Sequence, residues 1–264
     1  MNNLERRLRS YRLSGLVIHR RDMGEADRVV TLLTPQRGRI ALLAKGVRKV
    51  TSRKAGHLEL FTHVRLQVAK ARTWDIITQA DTIRAFPGLR TNLRRTSHAY
   101  YVAELLYYLA PEGEGDEALF SLALETFEHL ERAFNLLLVS RWFEAHLLRI
   151  TGFQPQLYIC PACGEPLDVE RTNYWNPAEG GALCPRCGAA RKGSRPLPPR
   201  VLKLMRFLHT HTFDHVQKLS LRPDVLLELE EFMHMYLRHV LERDLRSLAF
   251  IRRLRQEMGG GSND

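Results

Sequence analysis

Leu60-Phe61-Thr62-His63-Val64-Arg65-Leu66-Gln67-Val68 alternates without a break. Leu60, Thr62, Val64, Leu66 and Val68 fall on one face of an extended chain, and Phe61, His63, Arg65 and Gln67 on the other, because successive side chains of a strand point to opposite sides. That period of two predicts a half-buried strand. Upstream, Leu16-Val17-Ile18, Val29-Val30-Thr31-Leu32-Leu33 and Ile40-Ala41-Leu42-Leu43 are β-branched or apolar runs, and Ile76-Ile77-Thr78-Gln79-Ala80 follows downstream. Thr34-Pro35-Gln36-Arg37-Gly38 has turn chemistry, so the second and third runs predict a hairpin. Five short strands with no helical period between them predict a small antiparallel barrel. The OB-fold is one such barrel, and its face and loops bind oligonucleotides. An SH3-like barrel satisfies the same count, and strand counting leaves both open.

Pro87-Gly88 ends this pattern, and beyond it the period becomes helical. Tyr101, Val102, Leu105, Leu106 and Leu109 recur at one-turn spacing, as do Leu119, Phe120, Ala123, Leu124 and Phe127. A third helix, from about Asn135 to Thr151, is apolar around most of its circumference and is expected at the centre. Further helices are expected from Pro198-Pro199, from Pro223-Asp224, and over Asp244 to Glu257. The first ten residues read as a polar, basic extension or short surface helix, and GGGSND as a disordered tail. The expected organisation is α+β and multidomain: a five-stranded barrel over residues 1–85, a helical domain over 88–257 with a metal-binding insertion at 156–196, and a tail at 258–264.

All four cysteines fall in Cys160-x2-Cys163-x20-Cys184-x2-Cys187, the spacing of a four-cysteine zinc site. The two knuckles, CPACG and CPRCG, are nearly the same words. In each, a tight turn aims both thiolates at one ion, and Gly164 or Gly188 is expected to supply the backbone freedom that turns amide N–H groups toward sulfur. Between the knuckles apolar residues are few, so burial alone cannot hold the segment, whereas zinc contributes about 10–16 kcal/mol in small finger peptides. Four thiolates close the coordination sphere, which predicts a structural Zn2+ and no catalysis by it.

Of the 264 residues, 40 are Lys or Arg and 29 Asp or Glu, a net charge of +11. Residues 1–90 hold 19 basic and 7 acidic residues (net +12), and residues 91–264 hold 21 and 22 (net −1). The excess positive charge therefore lies on the barrel, which points to a polyanionic partner. It is densest at residues 37–54, with Arg37, Arg39, Lys45, Arg48, Lys49, Arg53 and Lys54 and no acidic residue. Long cations among small, flexible neighbours suit phosphates in varied positions; about six neutralised phosphates would give a log–log salt slope near −5. Phe61, Trp74 and Phe86 are candidates for stacking on bases, although an aromatic on a small barrel is more often core. No apolar run reaches the ~18 residues of a membrane span. The expectation is a soluble, cytosolic protein without membrane contact, its cysteines reduced and available to metal.

Phosphate loops, dinucleotide fingerprints, HExxH and GxSxG motifs are missing, so nothing supports an enzyme. His129-Leu130-Glu131 ahead of Cys160-x2-Cys163 imitates a nucleobase deaminase, but Ile159 stands where that signature has proline, and the reading strands Cys184 and Cys187. His57-Leu58-Glu59 fails similarly.

Gly24-Glu25-Ala26-Asp27-Arg28, Ala44-Lys45-Gly46-Val47-Arg48-Lys49, Ser52-Arg53, Gly56-His57-Leu58-Glu59-Leu60-Phe61 and Asp75-Ile76-Ile77-Thr78-Gln79-Ala80 resemble the N-terminal domain of the bacterial DNA repair family RecO. The similarity continues through Leu148-Arg149-Ile150-Thr151-Gly152-Phe153-Gln154-Pro155, the four cysteines and Arg243-Asp244-Leu245-Arg246-Ser247-Leu248, and so covers nearly the whole chain in order. The resemblance implies an N-terminal OB-fold, a helical C-terminal domain and an embedded zinc module. It implies a recombination mediator that binds single- and double-stranded DNA, anneals complementary strands, associates with RecR and RecF, and helps load RecA onto DNA coated by single-strand binding protein, in a bacterial cytoplasm at the nucleoid. It also implies an apolar groove for the acidic C-terminal tail of single-strand binding protein. Candidate walls are the helices at 198–212 and 226–241, with Lys203, Arg206 or Arg238 near its carboxylate. The competing readings are an RNA-associated zinc OB-fold protein and, further off, the deaminase.

Overall fold

The computed structural model describes residues 10–259, so both the N-terminal extension and the GGSND end lie outside the described residues. Two compact units emerge: residues 10–132 with 247–259, and residues 133–246.

The first unit opens with β1 (Ser10–Met23), β2 (Asp27–Thr34), β3 (Gly38–Ala44), β4 (His63–Ala69) and β5 (Ile76–Arg84). They close into a barrel of order β1-β2-β3-β5-β4. All ladders are antiparallel except β3 with β5, which run parallel. This five-stranded order is OB-like, and it decides between the two barrels that strand counting left open. Closure depends on the length of β1. Ser10 to Leu16 pair with β4, and Leu16 to Met23 pair with β2. Leu16, Val17 and Ile18, the run legible as a strand, form only the buried pivot between these halves.

Val64, Leu66 and Val68 turn into the barrel core with Leu13, Val17, Val30, Leu32, Leu42 and Ile77, as the alternation predicts. The strand nevertheless begins at His63, because Phe61 adopts a φ of 65° and breaks the extended run. Its ring joins Tyr100 edge-on at 5.2 Å and Phe127 at 5.5 Å, and Phe127 in turn meets Phe86 at 5.9 Å. Tyr100 lies on α2 (Leu93–Leu109) and Phe127 on α3 (Glu117–Arg132), which follow a single turn of helix, α1 (Gly88–Thr91). This aromatic cluster binds α2 and α3 to the barrel, so the compact unit runs on past the change of period at Pro87-Gly88.

In the second unit, α4 (Leu136–Ile150) is capped by Asn135, whose side chain accepts from the Leu138 N–H at 3.0 Å. It is buried around most of its circumference, down to an internal Arg141–Glu144 ion pair. The cysteine-bearing segment forms a small sheet, β6 (Asn173–Asn176), β7 (Gly181–Leu183) and β8 (Arg195–Leu197), with α5 (Pro185–Ala190) between the last two. Helices α6 (Pro199–Thr210), α7 (Phe213–Val216) and α8 (Pro223–Leu241) complete the unit, and α4 packs against α6 and α8. Trp175 of β6 is fully buried; its indole N–H donates to the Phe232 carbonyl on α8 at 3.1 Å, and its ring packs on Tyr236. Helix α9 (Arg246–Gly259) follows, with the Ser247 N–H donating to Glu104 at 2.9 Å within the first unit.

Candidate nucleic-acid interface and metal centre

The loop from β3 to β4 is a chain of turns pinned to the β1–β2 turn. Gly46, at a φ of 64°, donates its N–H to the Asp27 carboxylate at 2.7 Å. The Arg48 N–H donates to the Ala26 carbonyl at 2.9 Å, and the Ser52 N–H to Lys49 at 2.9 Å. On this frame Lys45, Arg48, Lys49 and Arg53 are exposed, with the fully exposed Val50 among them. Arg48 donates to the Gly24 carbonyl at 3.1 Å and lies 3.4 Å from Asp22. Hydrogen bonding from Arg28 holds the Asp22 carboxyl below its usual range. Lys45, Lys49 and Arg53 have no acidic partner among the described residues.

The other three predicted cations are placed differently. Lys54 turns inward and donates its ammonium to the Ile77 carbonyl at 2.8 Å and the Lys45 carbonyl at 3.3 Å. Partial burial keeps its pKa below that of a free lysine. Arg39 pairs with Glu112 at 3.2 Å and lies over the Tyr107 ring at 4.9 Å. Arg37 sits at the far end of the β2–β3 hairpin, over the Tyr11 ring at 4.3 Å. The seven residues of β3 separate the two ends, and the six steps along it span about 20 Å at the rise of a strand. The stretch continuous in sequence thus becomes one exposed group of four, two cations spent on the fold, and one cation elsewhere.

Among the stacking candidates, Phe61 and Phe86 are 1% and 0% exposed and cannot meet a base. The alternation assigned Phe61 to the outer face, but the positive φ at that residue ends the alternation there. Trp74, half-buried on the β4–β5 loop, remains. Arg12 and Arg65, outside the basic stretch, were not singled out from sequence; the polar face of the alternating strand, on which Arg65 lies, was the available signal.

The four cysteines converge. Cys160, Cys163, Cys184 and Cys187 hold their sulfurs within 4.8 Å of one another, and Cys163 and Cys184 are 3.8 Å apart. Tetrahedral zinc with Zn–S bonds of about 2.3 Å requires sulfurs about 3.8 Å apart, so the donor set fits Zn2+ in type, number and spacing. No histidine belongs to the cluster among the described residues, which removes the deaminase arrangement. Burial acts to raise the Cys160 pKa, but the N–H groups of Cys184, Ala162 and Cys163 outweigh it and bring the thiol down to about 7. Cys187, hydrogen-bonded to the sulfurs of Cys184 and Cys163, is pushed up to about 12. A divalent cation binding to this set would displace the proton that Cys187 retains.

The knuckles differ despite their similar sequences. Gly164 has a φ of 76° and donates its N–H to the Cys160 carbonyl at 2.8 Å. Gly188 lies inside α5, which Pro185 opens, and a Cβ there would meet Tyr174 at 2.3 Å. Gly188 therefore serves close packing rather than backbone freedom.

The apolar stripes expected to wall a groove are core. Val201, Leu202, Met205 and Leu208 of α6 are buried, as are Leu226, Leu229, Met233 and Leu237 of α8. Lys203 pairs with Glu170 at 2.7 Å, and Arg238 lies 3.9 Å from Asp244. Arg206 donates to the Leu157 carbonyl at 2.7 and 2.9 Å and to that of Leu167 at 3.2 Å, tying the cysteine-bearing segment to α6.

An OB-like barrel with a cationic loop, followed in the chain by helices and a cluster of four cysteines, defines an α+β class of chain with the donor set for one metal ion. The family models agree: "Recombination protein O N terminal" matches residues 8–86 and "Recombination protein O C terminal" residues 90–249. Similar proteins include the DNA repair protein RecO of Roseiflexus sp. (strain RS-1), 44% identical over 248 residues, covering 94% of this chain and 87% of the relative. That of Dehalococcoides mccartyi (strain ATCC BAA-2266 / KCTC 15142 / 195) is 33% identical, covering 91% and 94%. That of Symbiobacterium thermophilum is 33% identical, covering 93% and 98%. The chain belongs to the RecO family of DNA repair proteins, whose descriptions name a recombination protein and not an enzyme. No helix among the described residues is long and apolar enough to cross a membrane.

Proposed function

We propose that this protein is a DNA-binding recombination mediator that holds single- and double-stranded DNA on its barrel and anneals complementary strands. The observation that carries this reading is the group Lys45, Arg48, Lys49 and Arg53, exposed together on one loop of an OB-like barrel. Cations that neutralise two strands reduce their mutual repulsion, and contacts confined to phosphate leave base edges free to pair. Trp74 is the one remaining candidate for base stacking. Zn2+ on Cys160, Cys163, Cys184 and Cys187 maintains the helical body, and no nucleotide hydrolysis enters the cycle.

The family supports the wider assignment: association with RecR and RecF, recognition of the C-terminal tail of single-strand binding protein, loading of RecA, and a place in the bacterial cytoplasm at the nucleoid. The burial of the α6 and α8 stripes argues for a tail-binding surface elsewhere than between those helices. The test is annealing of complementary oligonucleotides by the full chain, with Lys45, Arg48, Lys49 and Arg53 replaced by Ala in the variant. Accelerated annealing that the variant loses supports the reading; annealing unaffected by the substitutions, or a preference for RNA without annealing, overturns it.

A further inference from the structure

A cavity of about 470 Å3 opens on the barrel where the β2–β3 turn closes over β1 and β4, lined by Arg12, Arg37 and Arg65 with Ser14, Thr34 and Gln36. Its walls are held in place by close packing. Gly15 admits the turn: a Cβ there would lie 2.9 Å from the Thr34 methyl and 3.0 Å from the Leu33 carbonyl. The Thr34 hydroxyl donates to the Gly38 carbonyl at 3.0 Å and accepts from the Arg37 N–H at 3.1 Å. From the other side the α2–α3 loop is seated on the turn, with the Arg39 N–H donating to the Pro111 carbonyl at 2.8 Å. Gly38 and Gly115 leave no room there for a side chain.

Arg37 and Arg12 are positioned by neutral partners, and none of the three guanidinium groups is paired with a carboxylate among the described residues. Arg37 lies over Tyr11, whose hydroxyl donates to Asp75 at 2.7 Å. Burial first, then Asp75, pushes Tyr11 up to about 12, so the ring beneath the cation stays neutral. Arg12 donates through Nε to Gln67 at 3.0 Å, which leaves its terminal nitrogens free to turn outward. Arg65 stands opposite Ser14 on one side and Asp81 on the other in the strand register, yet no carboxylate among the described residues pairs with Arg12, Arg37 or Arg65. His63, 2.7 Å from the Ser14 hydroxyl, is kept below its usual range by burial and then by the charges of Arg65 and Arg84.

Planar, forked donors that converge without a carboxylate suit phosphate oxygens. The cavity lining holds no aromatic side chain on which a base could stack. Its only apolar lining residue is Leu13, and the nearby Tyr11 ring is covered by Arg37. A polymer backbone fits this chemistry better than a free nucleotide. The distance from the β3–β4 loop, about 20 Å along β3, makes it a separate site.

We propose that this three-arginine cavity is a second phosphodiester-binding site, which takes a segment of nucleic-acid backbone beyond that held by the β3–β4 loop. It rests on the reading of the barrel as a DNA-binding module. The test measures binding of a fluorescent thirty-nucleotide oligo(dT) to the zinc-loaded full chain across a NaCl series. The proteins are wild type, an Arg37→Gln/Arg65→Gln double variant, Gln36→Glu, and a Lys49→Gln/Arg53→Gln loop variant. Gln36 is exposed, so its substitution puts a negative charge in the cavity while all three arginines remain. Thermal melting confirms that each variant folds.

The expected result is a log–log slope flattened by about 1.4 in the cavity double variant, two phosphates at about 0.7 each, with binding also weakened several-fold by Gln36→Glu. Wild-type slope and affinity in both cavity variants, beside a flattened loop variant, would overturn the cavity site and leave the loop reading standing. A flattened cavity variant beside an unchanged loop variant would do the reverse. A loss in the double variant that Gln36→Glu does not share would place the phosphate contacts of Arg37 and Arg65 outside the cavity and overturn the site.

Discussion

Replacing Lys49 and Arg53 together, and Lys54 separately, tests whether these cations do different work. Lys45, Arg48, Lys49 and Arg53 are exposed on one loop, so a single strand neutralised by all four would show a salt slope of about −3, at about 0.7 per phosphate. Lys49→Ala/Arg53→Ala should flatten this by about 1.4. If the two proteins bind alike near 1 M salt, that difference corresponds to about a 25-fold loss of affinity at 0.1 M. Lys54 is the contrast. Its ammonium is committed to the Ile77 and Lys45 carbonyls, so Lys54→Met should leave the slope unchanged while costing about 1 kcal/mol of stability through lost hydrogen bonds. The slopes come from fluorescence anisotropy of oligo(dT) over a NaCl series, and stability from urea unfolding. A Lys54→Met protein that keeps wild-type stability but loses as much slope as a single loop substitution would refute the division.

Cys184→Ser should abolish stoichiometric zinc binding, measured by release into a chromophoric chelator, and change the near-ultraviolet dichroism of the buried Trp175; full retention of one zinc per chain would refute the four-sulfur site. His209, buried and displaced by burial, His146 and Arg149 to about 4, has neither ring nitrogen hydrogen-bonded. The unfolded chain takes up this proton near pH 6.5 and the folded chain only near 4, so the stability associated with the neutral ring is complete above about 6.5 and declines as pH falls toward 4, by up to about 3 kcal/mol. Denaturant unfolding at pH 7.5 and 5 should show this decline, and a His209→Leu protein should show less of it. Gly38→Ala would place a Cβ 2.2 Å from the Glu114 carbonyl and 2.4 Å from that of Pro111, at a φ of 55°. It should cost about 2–4 kcal/mol, and an unchanged melting temperature would contradict the close seating of the turn.

Local signals were legible wherever one period or one spacing carried the information. The alternation Val64-Leu66-Val68 survives in β4 because those side chains meet only the barrel core. The helix over 135–151 was readable from its apolar circumference, and the structure adds its Asn135 cap. The cysteine spacing identified its own donor set, since each knuckle brings two thiolates to one point by local geometry alone. Phe61 was misplaced because its backbone conformation answers to Tyr100 and Phe127, residues distant in sequence.

Composition located the positive charge on the barrel, and spacing picked out the four cysteines that cluster, because both depend on the chain alone. The barrel's strand order, the seating of α2 and α3 on it, and the sorting of one basic stretch into exposed, committed and separate cations were decided only by tertiary structure. A cation's availability depends on which carbonyl, carboxylate or ring folding brings beside it. Lys49 and Lys54 are equivalent in sequence, yet one faces solvent and the other closes two backbone hydrogen bonds. In the same way Arg12, Arg37 and Arg65 share a site only because β1 is long enough to pair with β4 while the β2–β3 turn closes over it.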